Sequence, residues 1–224
     1  MKSIAKLGFV LALFAVAACA SLAVVYAITK PQIEAQDQLA LTASLKEIFP
    51  EAETFEDIGA TVASADPDIK FLSAMLAKSG TTPLGVAIKA SGASYGGPAV
   101  LLVGVQLNRS IAGVRVLELN DTAGLGANAK NPGYFVKKAE KISFPGQFTG
   151  KFITDAFEVK KDVIAITAST ITSKALTRII RTAADAASLW LEDSTVTEPA
   201  AAESAAGPTA PTAGQSAAGP TGGK

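Results

Sequence analysis

The chain has 224 residues, with 20 Lys plus Arg balanced by 20 Asp plus Glu, no histidine and a single cysteine. Zero net charge argues against a nucleic-acid binder, which carries a basic surplus, and the missing histidine removes the Ser-His-Asp triad, imidazole acid–base work and imidazole metal ligation. One cysteine excludes an internal disulfide framework and any cysteine-rich zinc or iron–sulfur site, so redox chemistry here would rest on a cofactor, and on an organic one.

The first predicted element is a membrane anchor. Leu7 to Ile28 carries no charge; about 22 residues at about 1.5 Å each span roughly 33 Å, against a hydrocarbon core of about 30 Å. Lys2 and Lys6 precede it. Positive charge on that short flank keeps the N-terminus in the cytoplasm and sends the rest across the inner (cytoplasmic) membrane to the outer, periplasmic face. The run outlasts the apolar core of a cleaved signal peptide. "VAAC", residues 16–19, has the form of a lipoprotein cleavage box, but "ASLAVVYAI" after Cys19 stays apolar where a lipoprotein turns polar. A retained single-pass helix over residues 1–29 is the expectation.

Pro31 to Phe49 predicts a helix leaving the membrane, with Leu39, Leu45 and Ile48 on an apolar stripe and Pro50 as its stop. Asp66-Pro67 reads as an N-cap and first-turn proline, opening a short helix through Met75 and Leu76 that ends near Gly80. Strands follow: a short one over Gly85 to Lys89, then Ala99 to Leu107 and Ile111 to Leu119, an antiparallel hairpin about Asn108-Arg109-Ser110. "FPGQFTGKF" sets aromatic residues among turn formers, covering a core edge. Val163 to Thr167 reads as a short strand and Lys174 to Leu191 as a helix, with Ala175, Ile179, Ala183, Ala186 and Trp190 on its apolar face. Residues 198–224 are almost only Ala, Pro, Gly, Thr and Ser, a composition that cannot bury a core and predicts disorder. The class is α+β: one N-terminal transmembrane helix, a single domain over 30–192 with a small antiparallel-rich sheet packed by helices, and a disordered tail over 193–224.

Two loops carry the chemistry. Thr167, Ser169, Thr170, Thr172 and Ser173 crowd together just before the predicted helix. A helix N-terminus has free N–H groups and a partial positive charge, which together attract phosphate. Capping needs one hydroxyl or two; the others are then available to a phosphate. Spacing alone leaves both roles open. In "NDTAGLGAN", Gly124 and Gly126 permit positive φ and a close backbone approach to a flat ligand, though an ordinary hairpin turn uses glycine in the same way.

Read together, "SYGGPAVLLVGVQLNRSIAGVRVLELNDTAGLGANA", "FPGQFTGKF" and "AITASTITSKAL" resemble the G subunit of the Rnf ion-translocating electron transport complex. They are similar also to the related C subunit of the sodium-pumping NADH:quinone reductase. The resemblance covers the anchor and the domain to about Leu191, not the tail. It implies an FMN-binding domain behind one transmembrane helix, and a Ser/Thr-Gly-Ala-Thr motif whose last threonine carries FMN through a phosphoester. That motif falls on Thr167-Ala168-Ser169-Thr170, making Thr170 the covalent carrier, with Thr172 and Ser173 beside the phosphate and ribityl oxygens. The family's Glu-Thr-Pro-Gly-Leu-Gly loop, which lies against the flavin, falls on Asp121-Thr122-Ala123-Gly124-Leu125-Gly126.

The chain departs from that pattern at several positions. Ala168 and Ser169 stand where the family has glycine and alanine, and Ala123 and Asp121 replace proline and glutamate. Ile164 stands where the flavin transferase reads an acid six positions before the threonine, and Asp162 is two residues too early. The partners implied are the other membrane and peripheral subunits of an Rnf-type complex, with a flavin transferase during maturation. The role implied is electron relay in ferredoxin:NAD oxidoreduction coupled to Na+ or H+ translocation, with no substrate turned over by the domain alone. The short soluble domain and "GLGANA" favour the Rnf side. A polypeptide that keeps the fold without the flavin is the other class the departures allow.

Overall fold

The apolar run propagates beyond the membrane length as one helix, α1 (Lys2–Ile48), which passes through Pro31. That proline lacks the N–H that would bond the Ala27 carbonyl, yet the helix continues. The computed structural model describes residues 2–203. Side chains from Lys6 to Ala40 are exposed, and burial begins at Leu41 and recurs at Leu45, Ile48 and Phe49. Among the described residues α1 is the one helix long and apolar enough to cross a membrane.

The buried end of α1 packs on a five-stranded antiparallel sheet. Its strands are β1 (Thr54–Asp57), β2 (Lys70–Ser79), β3 (Thr82–Ala93), β4 (Pro98–Gln106) and β5 (Ile111–Leu119), in that spatial order. Alternation along the central strands divides its faces. Val86, Ile88, Ala90, Leu101, Val103 and Val105 join Leu176, Ile179, Ile180, Ala183 and Ala187 of the second helix, α2 (Thr170–Glu203). Ala87 and Leu102 point the other way, into a cluster with Leu41, Leu45, Ile48 and Phe49. Where α1 meets the sheet there is no room for side chains. A Cβ on Gly104 would lie 2.3 Å from Ile48 Cγ2, and one on Gly85 would lie 2.8 Å from the Phe49 ring.

Between β5 and α2 the chain forms a small hairpin of β6 (Phe135–Lys137) and β7 (Ile142–Ser143) and a set of turns. Phe144 and Phe148 are fully buried and meet edge-on at 5.6 Å, and Phe148 stacks on Phe157 at 6.0 Å. The aromatic residues of "FPGQFTGKF" thus close the core. Phe152 alone among them stays exposed. On the far side, the Trp190 indole N–H donates to Thr61 Oγ1 at 2.8 Å, and Arg178 holds Asp66 at 2.7 and 2.8 Å and Asp68 at 3.1 Å.

The hairpin of β4 and β5 is as the sequence predicts, and Arg109 takes a positive φ at its turn. Four expectations are corrected. The helix expected after Asp66-Pro67 is instead β2, and Asp66 Oδ1 accepts the Asp68 N–H in a tight turn rather than capping a helix. The short strand at 85–89 is the middle of a strand running from Thr82 to Ala93. Val163 to Thr167 is not a strand; Val163 makes one isolated bridge with Val159. α2 begins at Thr170, so Thr170, Thr172 and Ser173 belong to its first turn; the helix is described through Glu203, and residues 204–224 of the expected tail lie outside the described residues.

Candidate functional site

Three segments far apart in sequence meet at one carboxylate. Asp121 Oδ2 accepts the Ser94 hydroxyl at 2.9 Å and the Thr172 hydroxyl, and Oδ1 accepts the Gly96 N–H at 2.7 Å. Asp121 therefore ties the tip of the β3–β4 hairpin and the first turn of α2 to the glycine loop. In that loop Gly124 has φ +78°, a conformation that costs glycine nothing. The Thr122 carbonyl accepts the Leu125 and Ala127 N–H groups at 3.1 and 3.3 Å. Gly126 lies so close to the Asp121–Thr172 contact that an added Cβ would be 2.4 Å from one oxygen and 2.5 Å from the other.

A cleft of about 450 Å³ opens where these segments converge, within the range of small-molecule sites. Asp121, Thr122, Leu125, Gly126, Ser169, Thr170 and Thr172 all line it, as do Tyr95, Ala168 and Ile171. Of the residues singled out from sequence, Ala123, Gly124, Thr167 and Ser173 stand outside the lining, and Ser173, expected beside the phosphate, is fully buried instead. Tyr95 and Ile171 are the lining residues that sequence reading passes over. The signal for Tyr95 was an aromatic side chain set among turn formers in "SYGGP", but that stretch lies well upstream of both loops.

The hydroxyl cluster divides in two. Tyr134 donates its hydroxyl to Thr167 Oγ1 at 3.1 Å and accepts the Thr167 N–H at 3.2 Å. Thr172 donates to Asp121. Ser173 Oγ accepts the Ile166 N–H at 3.0 Å and donates to the Ser169 carbonyl at 2.8 Å. These three build the turn. Among the described residues the hydroxyls of Ser169 and Thr170 have no hydrogen-bond partner, and both face the cleft. The first helical bond runs from Ser173 N–H to the Ser169 carbonyl, so the N–H groups of Thr170, Ile171 and Thr172 lie ahead of the ladder, as at any helix start. Two free hydroxyls and the positive end of a helix thus face one cleft.

The turn before α2 carries one of the departures from the family pattern. Ala168, at the family's glycine position, has φ +57°, a left-handed conformation that costs an L-residue about 1 kcal/mol or more. Ala168→Gly should therefore raise stability by roughly 0.5–1 kcal/mol, and Tm by about 1–4 °C. A fall in melting temperature would contradict strain at this turn. Ile164 is held by Gln147, which accepts its N–H at 2.8 Å and donates to its carbonyl at 3.1 Å. Asp162, the nearest acid, is engaged within the protein. It accepts the Phe157 and Glu158 N–H groups at 3.1 and 2.7 Å and pairs with Lys151 at 2.9 Å. Partial burial pushes its carboxyl up, but those N–H groups and the Lys151 ammonium outweigh burial and hold it below the ordinary value.

A membrane-length helix leading into a domain with such a cleft is the layout of a membrane-anchored ligand-binding protein, and its similarity to known families narrows the class. The FMN-binding domain matches residues 94–185, from the hairpin tip through the first half of α2, and the RnfG N-terminal region matches residues 1–48, all but the first residue of which form α1. The G subunit of the Na(+)-translocating ferredoxin:NAD(+) oxidoreductase complex of Acetobacterium woodii is 31% identical over 194 residues, covering 79% of this chain and 87% of that one. The G subunit of the ion-translocating oxidoreductase complex of Vibrio atlanticus is 30% identical over 195 residues, covering 82% and 90%. Its counterpart in Yersinia pestis is 30% identical over 196 residues, again covering 82% and 90%. The chain belongs to the RnfG family, the G subunits of ion-translocating oxidoreductase complexes, and is an electron-transport subunit with an FMN-binding domain.

Proposed function

We propose that FMN is bound covalently, its phosphate esterified to Thr170 Oγ1, and that the chain relays electrons within an Rnf-type complex. The observation that carries this reading is the division of the hydroxyl cluster. Three of its members are engaged in the protein, while Ser169 and Thr170 face the cleft unpartnered. FMN, when bound, supplies the electron-carrying chemistry that this histidine-free chain lacks. The chain's own residues hold and orient it. Ser169 Oγ and the N–H groups at the start of α2 receive the phosphate. The side-chain-free Gly126 leaves the cleft open beside Asp121, and Leu125 lies against the ring. A covalent tether keeps the cofactor from diffusing away on the outer face, an orientation that the positive charges of Lys2 and Lys6 support. The partners are the other membrane and peripheral subunits, with a flavin transferase acting during maturation. The relay serves ferredoxin:NAD oxidoreduction coupled to Na+ or H+ movement, in line with the name of the Acetobacterium relative.

A second reading, a polypeptide that keeps the fold without flavin, rests on Ile164 at the transferase's acidic position and on Asp162 being engaged elsewhere. Intact mass after co-production with a flavin transferase separates the two. The native chain should carry one flavin nucleotide and fluoresce in a denaturing gel. Thr170→Ala should lose both signals completely, while Ser169→Ala keeps them. An unmodified native mass would establish the second reading, and an increment that survives in Thr170→Ala would remove Thr170 as the carrier.

A further inference from the structure

The cleft has an apolar side as well as a hydroxyl side. Tyr95, Leu125 and Ile171 line it while remaining 66, 40 and 64% exposed. Tyr95 is not an ordinary surface residue of a loose turn. The residues on either side of it, Ser94 and Gly96, both donate to Asp121, and the Ser94 N–H donates to the Gly97 carbonyl at 2.7 Å, closing the hairpin. A Cβ at position 96 would lie 2.3 Å from the Asn120 carbonyl oxygen, so only glycine fits beside it. The backbone is thus fixed on both sides of a large, flat, solvent-exposed ring on the cleft lip. Unpartnered hydroxyls with one aromatic and two aliphatic side chains match a ligand that has a phosphate at one end and a planar conjugated ring at the other.

We propose that Tyr95 stacks on the isoalloxazine ring and positions it, with the phosphate held at Thr170. This rests on the FMN reading above. An aromatic face binds any conjugated ring in this way, and the phenol adds an electron donor beside it. A phenol touching photoexcited flavin passes it one electron, which returns on recombination. Emission is quenched with no net oxidation of either partner.

The test uses the full chain, co-produced with a flavin transferase and purified in detergent, as native protein and as Tyr95→Phe, Tyr95→Leu and Tyr95→Trp. Intact mass reports flavin content and the flavin fluorescence lifetime reports stacking. Native and Tyr95→Trp should be short-lived, and Tyr95→Phe and Tyr95→Leu several-fold longer. The Phe variant keeps ring, packing and fold while removing the donor, so its lengthened lifetime cannot come from misfolding. Equal lifetimes in flavin-bearing native, Phe and Leu chains overturn the assignment and leave the FMN reading intact. If the native mass is unmodified, free FMN is titrated instead. Tyr95→Leu should then bind about tenfold more weakly, about 1.4 kcal/mol, with Tyr95→Phe near native, and equal affinity of native and Leu overturns the proposal. A native chain that neither carries nor binds FMN ends both readings together.

Discussion

Asp121→Ala should destabilise the domain by about 3 kcal/mol, lower Tm by roughly 6–12 °C, and abolish flavin loading. The size of the effect follows from what the carboxylate holds. It accepts Ser94 Oγ, Gly96 N–H and Thr172 Oγ1. Ser94 and Gly96 can turn to water once released, but Thr172 is 2% exposed, so its hydroxyl would be left buried without a partner. Each such orphan costs about 1–3 kcal/mol, and the loop and hairpin it joined would lose their common anchor. Asp121→Asn, which keeps one accepting oxygen, should fall between native and alanine. The decisive comparison is a cycle with Thr172→Val, which removes the hydroxyl at nearly constant volume. In that background the alanine change should cost about 1 kcal/mol less than in the native chain. An alanine variant within about 0.5 kcal/mol of native would show that the hub holds nothing.

Asp121 also shows how far the site was legible in the sequence. The residues around the cleft could be listed from the glycine loop and the hydroxyl cluster, because both are short runs of unusual composition. Their division of labour could not. Nothing in "TASTITS" distinguishes the hydroxyls bonded to Tyr134, Asp121 and Ile166 from the two left free, since each partner comes from tertiary contact. Tyr95 was missed for the same reason: only its backbone neighbours' bonds to Asp121 reveal that it is held at the cleft. Ala168 is the opposite case. The family's glycine foretells a left-handed residue, and the alanine here keeps that φ at a cost.

The fold was legible where the period was clean. β4 and β5 announce themselves by β-branched runs about a turn, and α1 by length and polarity alone. β2 did not, because "KFLSAMLAKS" is rich in helix formers and its pairing with β3 is broken by irregularities at Phe71/Ser73 and Ala77/Lys78. A bulge shifts the inward face by one residue, so the two-residue alternation vanishes from the sequence while pairing on both sides keeps the strand. β3 was shortened by Pro83, Gly85 and Gly92, residues that normally interrupt strands. Gly85 and Gly92 are required here by packing: a side chain at Gly85 would strike Phe49, and one at Gly92 would strike Ile179.

Those glycines connect the anchor to the site. β4 runs from the hairpin that displays Tyr95 to Gly104, where Ile48 and Phe49 rest. About six residues at about 3.4 Å put the cleft end of that strand roughly 20 Å from the seat of α1. A helix that runs on from the apolar segment and packs on the central strands joins that segment to the cleft-bearing sheet by secondary structure rather than by a loop.

Gly104→Ala tests that packing. The added methyl would lie 2.3 Å from Ile48 Cγ2 and 3.0 Å from the Phe49 ring. Ile48 is β-branched and buried at the end of α1, so it has no alternative rotamer into which to retreat cheaply. Overpacking of this kind costs about 2 kcal/mol, a fall in Tm of roughly 4–8 °C. Ile48→Ala alone should cost about 2–5 kcal/mol through the cavity it leaves. Combined, the two should cost clearly less than their sum, because the truncated side chain makes room for the new methyl. Strict additivity would mean that Ile48 does not rest on Gly104, and α1 would then be seated by Leu41, Leu45 and Phe49 alone.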